Sequence, residues 1–523
     1  MNARVKKFLL VLLALGFLAG AGQFQKSLNH DRDVLGLTRG AVLDNAPPML
    51  AFTTVALGGF RGLISNLLWI RANDLQQDDK FFEAAQLADW ITQLEPTFAS
   101  VWVFQGWNMA YNISVKFKEN GPGDYSDRWH WVENGIELMR DGGLRYNPNS
   151  IDIYRELAWQ FQHKMGANLD DANMFYKMEW ANEMKPFFGP NGTNYENMIT
   201  PVTAEDRTNA TILKEKYKLD PLFIKRVDDL YGPLDWRLPE AHAIYWGRKG
   251  LDAADQNPGK IKADDKIKLR RIIYQSIYQA FKHGRIILNP FTHQYALGPN
   301  LALVGRVNDT YEEMYKEETE SGMKQGILRA QRNVLRDAIY FLYENNRMAE
   351  AAKWFKYLGD KFPDQFIVEN DVTTLPKNLT LDEYAVAVAQ IDIGETSQER
   401  VTSAVQGLIT RAYLALALDD DARYQNLKNL ATRIYLKYTK STAPSKGSTR
   451  IPLPPLDILN KTVITDLLDP QSGLPPETRA VLRTRLGLPA EAIAPPVNTA
   501  TNLSGAATNT VPVSAPTNAS SGP

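Results

Sequence analysis

Side chains that commonly perform catalysis or bind metals are sparse in this chain, and they do not fall at the spacings that such sites need. Cysteine is absent, which excludes disulfides, thiolate nucleophiles and cysteine-ligated zinc or iron–sulfur sites. The sequence contains no zinc-protease helix with paired histidines, no Gly-x-Ser-x-Gly elbow, no phosphate-binding loop and no dinucleotide fingerprint. The histidines are His30, His130, His163, His242, His283 and His293. We therefore predict no catalytic residue, no metal site and no cofactor.

Two glutamate pairs come nearest to an acid–base dyad. Residues 312–313 and 317–318 are all glutamate and lie with Lys316 in a helical pattern. Such a pattern indicates a solvated, charged helix face rather than a catalytic pair. Two carboxylates distant in sequence can still meet in a folded protein, so a helical-toroid glycosidase stays open as the less favoured alternative.

Tryptophan has the most informative distribution of any residue type. Eight of the eleven tryptophans lie between Trp69 and Trp180. Large aromatic residues fill core positions in helical proteins. Beside arginine on a surface they bind peptides or glycans, because rings stack on apolar or sugar faces and guanidinium groups bind carboxylates. The positions of the tryptophans on their helices distinguish between these two roles.

A pattern that ends in proline recurs along the chain and indicates helical hairpins. One second helix closes at Pro96, and Trp102 and Gly106 follow at the spacing of a bulky residue and a small one in the next first helix. The arrangement repeats at Pro148, where Tyr154 again lies six residues beyond the proline. The recurrence predicts two hairpins built in the same way.

The clearest copy of this pattern runs from residue 335 to residue 363. It carries Ala351, Phe355 and Pro363 at the spacing of the second helix of a tetratricopeptide unit. These segments, about half of residues 62–440, resemble the tetratricopeptide repeat family. Residues 57–72 also resemble the start of bacterial envelope proteins of this repeat type.

The resemblance implies a stack of helical hairpins whose first helices line a concave groove. Within such a repeat Trp102 takes the buried bulky position, whereas the ninth and fifth positions of the first helix face the groove. Trp107, Trp159 and Tyr340 hold the ninth position, and Arg155 and Arg336 hold the fifth. The predicted groove residues are Trp69, Trp107, Arg155, Trp159, Gln162, Arg336, Tyr340 and Tyr343. Ordinary packing between repeats is the alternative role for these side chains.

The predicted fold is all-α, a tetratricopeptide-like solenoid of helical hairpins with loop insertions, an N-terminal signal or anchor helix and a disordered C-terminal tail. The insertions, which include residues 116–127, 187–194 and 231–239, are the second choice for a functional surface, because long loops on a helical scaffold are often lids or partner contacts. The predicted divisions are 1–28 (signal peptide or membrane anchor), 29–61 (lead-in), 62–186 (N-terminal repeats), 187–238 (loop-rich insertion), 239–440 (C-terminal helical repeats), 441–488 (proline-rich segment with short helices) and 489–523 (tail).

The N-terminus has the basic-then-apolar order of an export signal. Arg4, Lys6 and Lys7 precede the apolar run 8–21, and residues 19–21 are small enough for a signal peptidase. Cleavage and retention as an anchor both stay open. Either outcome predicts a protein of the bacterial cell envelope, exported or anchored in the inner membrane and facing the periplasm. A second apolar stretch, 49–70, predicts a buried helix, because charged and glycine residues interrupt it.

Overall charge argues against nucleic acid as the partner. The chain has 59 basic and 60 acidic residues and a formal net charge of -1, so it has no global positive field. The sequence therefore predicts a non-enzymatic envelope scaffold or adaptor that holds a protein or peptide partner in its groove. A glycan-binding module is the alternative, and membrane contact is expected only through an uncleaved N-terminal helix.

Overall fold

A computed structural model of the protein is mostly helical, with a single short pair of strands in the part of the chain that it describes. The described residues are 60–256, 263–288, 295–368, 371–393, 398–441, 453–470 and 473–490, with isolated positions between 13 and 31. The chain divides into two compact units, one ending at Gly394 and the other beginning at Glu395. The predicted division at residue 440 stays a prediction, and the second unit begins about 45 residues earlier in the chain.

The first unit begins with helices that pack against their neighbours in sequence. Helix α1 packs on α2, α2 on α3, and α3 on both α4 and α5. Their bounds are α1 Phe60–Gln77, α2 Phe81–Leu94, α3 Ala99–Trp107, α4 Ser126–Glu137 and α5 Ile151–Trp159.

The rest of the first unit contains longer helices and the strand pair. Helix α9 packs on both α5 and α10, and α12 packs on α11 and α13. Strands β1 and β2 pair antiparallel, with Arg285 opposite Gly298. The elements are α6 Asn173–Phe188, α7 Ala204–Glu215, α8 Pro221–Tyr231, α9 Pro239–Gln256, α10 Ala263–His283, β1 Arg285–Leu288, β2 Tyr295–Gly298, α11 Val304–Glu317, α12 Ser321–Glu344, α13 Met348–Lys361 and α14 Leu381–Ile393.

The second unit is a small helical cluster. Helix α15 packs on α16, α17 and α18. The bounds are α15 Gln398–Ala417, α16 Asp421–Ser441, α17 Leu456–Leu468 and α18 Pro476–Arg485. The two short helices lie inside the segment 441–488, where the sequence predicts them.

The spacing between proline and the following aromatic residue has a structural cause. The indole nitrogen of Trp102 donates a hydrogen bond to the carbonyl of Pro96 at 2.9 Å, and the hydroxyl of Tyr154 donates to the carbonyl of Pro148, also at 2.9 Å. Each ring thus ties the start of a first helix to the loop before it. Trp102 is 6% exposed, which agrees with the buried bulky position predicted for it.

Three hairpins turn in the same way. Asp79, Asn346 and Asp419 follow α1, α12 and α15, and each has a φ near +60°. In each turn the next residue donates its backbone N–H to a carbonyl five positions earlier, as from Lys80 to Leu75 and from Arg347 to Leu342. Asn and Asp tolerate the left-handed conformation better than other non-glycine residues, so they end these helices.

Three helices of the first unit change from α to π geometry along their length. The π-helical segments are Asn108–Ile113 after α3, Leu138–Gly143 after α4 and Gln160–Gly166 after α5. Helices α3 and α4 cross closely, since a Cβ at Gly135 would lie 2.7 Å from the carbonyl oxygen of Gly106. Segments of π-helix are uncommon and frequently occur at functional sites, so α3 and α5 are candidates to form such a site.

The predicted loop-rich insertion, 187–238, contains helices α7 and α8, and its end is buried. Trp236 is 0% exposed, and Asp228 accepts hydrogen bonds from the Trp236 indole nitrogen at 3.1 Å and from the Leu234 backbone at 2.9 Å. Arg237 pairs with Asp235 at 2.6 Å. The interpretation of residues 231–239 as a lid is therefore wrong. The buried Asp235 and the half-buried Asp228 accept hydrogen bonds from the polar groups of this loop, which lets it pass through the core.

The apolar stretch that predicts a buried first helix is exposed along one face of α1. Phe60, Leu63, Leu67 and Ile70 are between 57% and 70% exposed, whereas Ala72 is fully buried. No helix within the described ranges has the length and apolarity needed to cross a bilayer. Most of the predicted signal or anchor, 1–28, and nearly all of the predicted tail, 489–523, lie outside the described residues.

Candidate functional site

One cavity brings together side chains from α3, α5 and α10. It has a volume of about 360 Å³ and is open to solvent on one side. That volume falls at the small end of ligand pockets and is enough for one or two side chains of a bound chain. The lining residues are Trp107, Arg155, Glu156, Trp159, Lys268, Arg271, Ile272 and Gln275.

The two tryptophans of the cavity occupy equivalent positions on their helices. Trp107 is the last residue of α3 and Trp159 the last residue of α5, and a π-helical segment follows each of them directly. Both rings are half-buried. Trp107 and Trp159, which the sequence assigns to the same repeat position, therefore also have the same local backbone conformation.

Neighbouring rings hold these tryptophans in place. Trp107 stacks on Tyr111 with centroids 5.9 Å apart, and Trp159 stacks on His163 with centroids 4.3 Å apart and planes within 13°. The Tyr111 hydroxyl and His163 Nδ1 are 3.2 Å apart and share a hydrogen bond. Each stacked pair spans one turn of its own helix, and the hydrogen bond joins the two pairs. The four rings therefore form one continuous aromatic wall.

Charged side chains occupy the rest of the cavity wall. Arg155 pairs with Asp152 at 3.3 Å, and Lys268 lies 3.6 Å from Asp265. Arg271 is exposed and forms no direct ion pair among the described residues, although its charge and that of Glu318 attract each other. Because two of the three cations already have a carboxylate partner, Arg271 is the cation best able to receive an anionic group.

Among the described residues, Glu156 is the single carboxylate that lines the cavity. It is 8% exposed, and its Oε1 has no hydrogen-bond partner. Burial raises the pKa of this carboxyl to about 7, although the nearby positive charge of Arg155 and an interaction with the Gln160 side chain oppose the change. A buried carboxylate without a partner is costly to maintain, which marks Glu156 as a group that a ligand could satisfy.

The histidine in the aromatic wall is neutral at physiological pH. Burial and the charge of the neighbouring Lys164 both lower the pKa of His163 below its ordinary value. A neutral imidazole can stack on Trp159 and hydrogen-bond to Tyr111 without adding a positive charge to the site. His163 therefore supports the wall, and the charge of the cavity comes from the residues that line it.

The predicted groove residues separate into two groups. Trp107, Arg155 and Trp159 meet in this cavity. Gln162 lies in the π-helical segment after α5, is 6% exposed and does not line the cavity. Trp69 packs elsewhere, against Phe98 with ring centroids 5.7 Å apart.

The predicted groove residues on α12 lie apart from the cavity. Arg336 pairs with Asp337 at 3.1 Å, and Tyr340 packs half-buried against the hydrophobic cluster that surrounds Leu335. Tyr343 is 1% exposed, and its hydroxyl donates to Asp382 at 2.6 Å. The structure therefore places Tyr343 in the core, where a partner on α14 satisfies its polar atom.

The lining residues from α10 were not predicted from the sequence. Lys268, Arg271 and Gln275 lie more than 100 residues beyond Trp159 and show no repeat register that links them to it. Their i, i+3 and i+4 spacing would place them on one helix face, which is the single signal that the sequence offers. Within the described ranges, no three His, Asp or Glu side chains are grouped closely enough to hold a metal ion.

Comparisons with family models, with curated proteins and with solved structures found no match for this chain.

Proposed function

We propose that the protein is a non-enzymatic binding module, an envelope scaffold or adaptor that holds a peptide segment of a partner protein in the cavity between α3, α5 and α10. The observation that carries this proposal is the meeting of Trp107, Trp159 and Arg155 with the cations of α10 around one opening. Aromatic rings and arginine are the residue types that dominate the energy of protein recognition sites.

The chemistry of the wall favours an apolar side chain and a carboxylate in the ligand. Stacking on Tyr111 and His163 already holds the rings of Trp107 and Trp159 in place. The apolar surface that these rings present to the cavity therefore needs little further ordering when a ligand binds. Arg271 is exposed, forms no direct ion pair among the described residues and can receive a carboxylate. A peptide with an acidic residue beside an apolar one satisfies both features.

A glycan is the alternative ligand, because sugar rings also stack on tryptophan. A neutral glycan would use the aromatic wall but would leave Arg271 without an anionic partner. The cation therefore favours the peptide, and the alternative remains as an outcome of the experiment.

Selection from a displayed library of random peptides tests the proposal. Binding to the wild-type protein should enrich peptides with adjacent apolar and acidic residues, and Trp107→Ala should lose them. Trp90→Ala is the matched control, since Trp90 is 46% exposed and lies on α2 outside the cavity. Enrichment that survives Trp107→Ala would refute the proposal, and binding to arrayed glycans instead of peptides would establish the alternative.

A further inference from the structure

Among the described residues, two charged groups of the cavity form no direct ion pair, and they have opposite signs. Arg155 and Lys268 are each near an aspartate, as described above, which leaves Glu156 and Arg271. A ligand with a single negative charge would satisfy Arg271 and leave Glu156 buried without a partner. The arrangement therefore fits a ligand that carries both signs of charge.

Glu156 has surroundings that suit a cation. Its carboxyl lies in the same cavity as the faces of Trp107 and Trp159, and Oε1 is unpartnered. A carboxylate beside indole faces binds ammonium groups, because the ring quadrupole and the negative charge both attract a cation. One turn further along the helix, Gln160 is 0% exposed, and its side-chain amide interacts with the Glu156 carboxyl and opposes the rise of its pKa. The interior next to the cavity is therefore polar as well as aromatic.

We propose that the cavity recognises an amphoteric peptide segment, with an ammonium group of the ligand against Glu156 between the two tryptophans and a carboxylate of the ligand against Arg271. This inference rests on the proposed function and adds to it the ammonium group and the assignment of each charge to one residue. A lysine side chain supplies the ammonium, and a nearby acidic side chain supplies the carboxylate. Free lysine carries the same two charges and is the other source of this chemistry.

Capped Lys-Phe-Glu, norleucine-Phe-Glu and Lys-Phe-Gln peptides, titrated by calorimetry, separate the two contacts. The wild-type protein should bind Lys-Phe-Glu about tenfold more tightly than either of the other two, because each lacks one charge-assisted hydrogen bond. Glu156→Gln should remove the preference for lysine over norleucine and keep the preference for glutamate over glutamine. Arg271→Gln should have the opposite effect, and Glu215→Gln, at an exposed position on α7, should retain both preferences.

A measurement on the wild-type protein does not depend on the folding of any variant. Titrations in two buffers of different ionisation enthalpy give the number of protons exchanged on binding. At pH 7 the Glu156 carboxyl is about half protonated, so an ammonium group bound to it should release roughly half a proton. Proton uptake would mean that Glu156 shares a proton with an anionic ligand, and it would overturn the inference.

The outcomes distinguish this inference from the proposed function. Equal affinity for the lysine and norleucine peptides, lost in Trp107→Ala, would refute the amphoteric site and leave peptide binding in place. Binding of free lysine as tight as that of Lys-Phe-Glu would support the charge assignment and replace the peptide by a free amino acid. Failure of all three peptides and of free lysine to bind would overturn the amphoteric site, and the library selection would then decide whether the cavity binds other peptides.

Discussion

Replacement of Glu156 by glutamine is expected to stabilise the unliganded protein at alkaline pH. Glu156 is 8% exposed, and burial raises its pKa from 4.5 to about 7. One pKa unit corresponds to about 1.4 kcal/mol, so the cost of ionising this carboxyl in the folded protein is about 3 kcal/mol. Glutamine has nearly the same shape and does not ionise, so the variant avoids that cost.

The direction of the Glu156 pKa shift determines the pH range in which the stability difference appears. The folded pKa lies above the unfolded one, so the folded state binds this proton more tightly. Below about pH 4.5 the carboxyl is protonated in both states, and wild type and Glu156→Gln should have equal free energies of unfolding. As the pH rises from 4.5 to about 7, the wild type loses stability relative to the variant, and above that range the difference should be constant.

Denaturant titrations of both proteins at pH 4.5 and pH 8 measure this difference. A difference that is the same at the two pH values, or a less stable variant at pH 8, would refute the reasoning. Glu312→Gln is the control of opposite sign. Burial opposes the ionisation of Glu312, but hydrogen bonds from Lys361, Gln331 and Tyr357 outweigh it and hold the pKa at about 2. That variant should be less stable than wild type above pH 4.5, and the deficit should disappear as the pH falls through about 2.

Three further predictions concern packing and the ends of the chain. Trp102→Ala should cost about 3 to 5 kcal/mol of unfolding free energy, whereas Trp107→Ala, at a half-buried ring, should cost clearly less; equal losses would make Trp107 a core residue. A reporter fused to the C-terminus should be active only if it functions outside the cytoplasm, and activity confined to the cytoplasm would contradict the predicted export. Deletion of residues 489–523 should leave the thermal midpoint within about one degree of wild type, and a drop of several degrees would show that the segment packs on the body.

Repeat register was enough to predict part of the site. Trp107 and Trp159 hold the same position relative to Trp102 and Tyr154, and the structure places both at the change from α to π geometry around one cavity. A local pattern of this kind can be found in a sequence, because helix geometry fixes which residues share a face. The contribution of α10 could not be found in this way, since it depends on which distant helix packs on α5.

Burial of polar groups was the other feature that sequence reasoning missed. Glu156 stands beside Arg155 and would ordinarily be assigned to a solvated face, yet it is buried. The segment that ends at Leu238 looks like a surface loop because it is rich in glycine, proline and charge. Asp228 and Asp235 make it part of the core, because they bond its backbone and side-chain donors. Such partners become visible only when the chain is folded.

The dissociation constant of one selected peptide for three proteins tests the central claim most directly. The claim is that the cavity between α3, α5 and α10 holds the partner peptide. Wild type and Trp90→Ala should bind the peptide equally, and Trp107→Ala should bind it about 30-fold more weakly, as expected for an aromatic residue that dominates an interface. Circular dichroism should show that all three proteins are folded. Equal affinity of Trp107→Ala and Trp90→Ala would contradict the claim and move the binding surface away from this cavity.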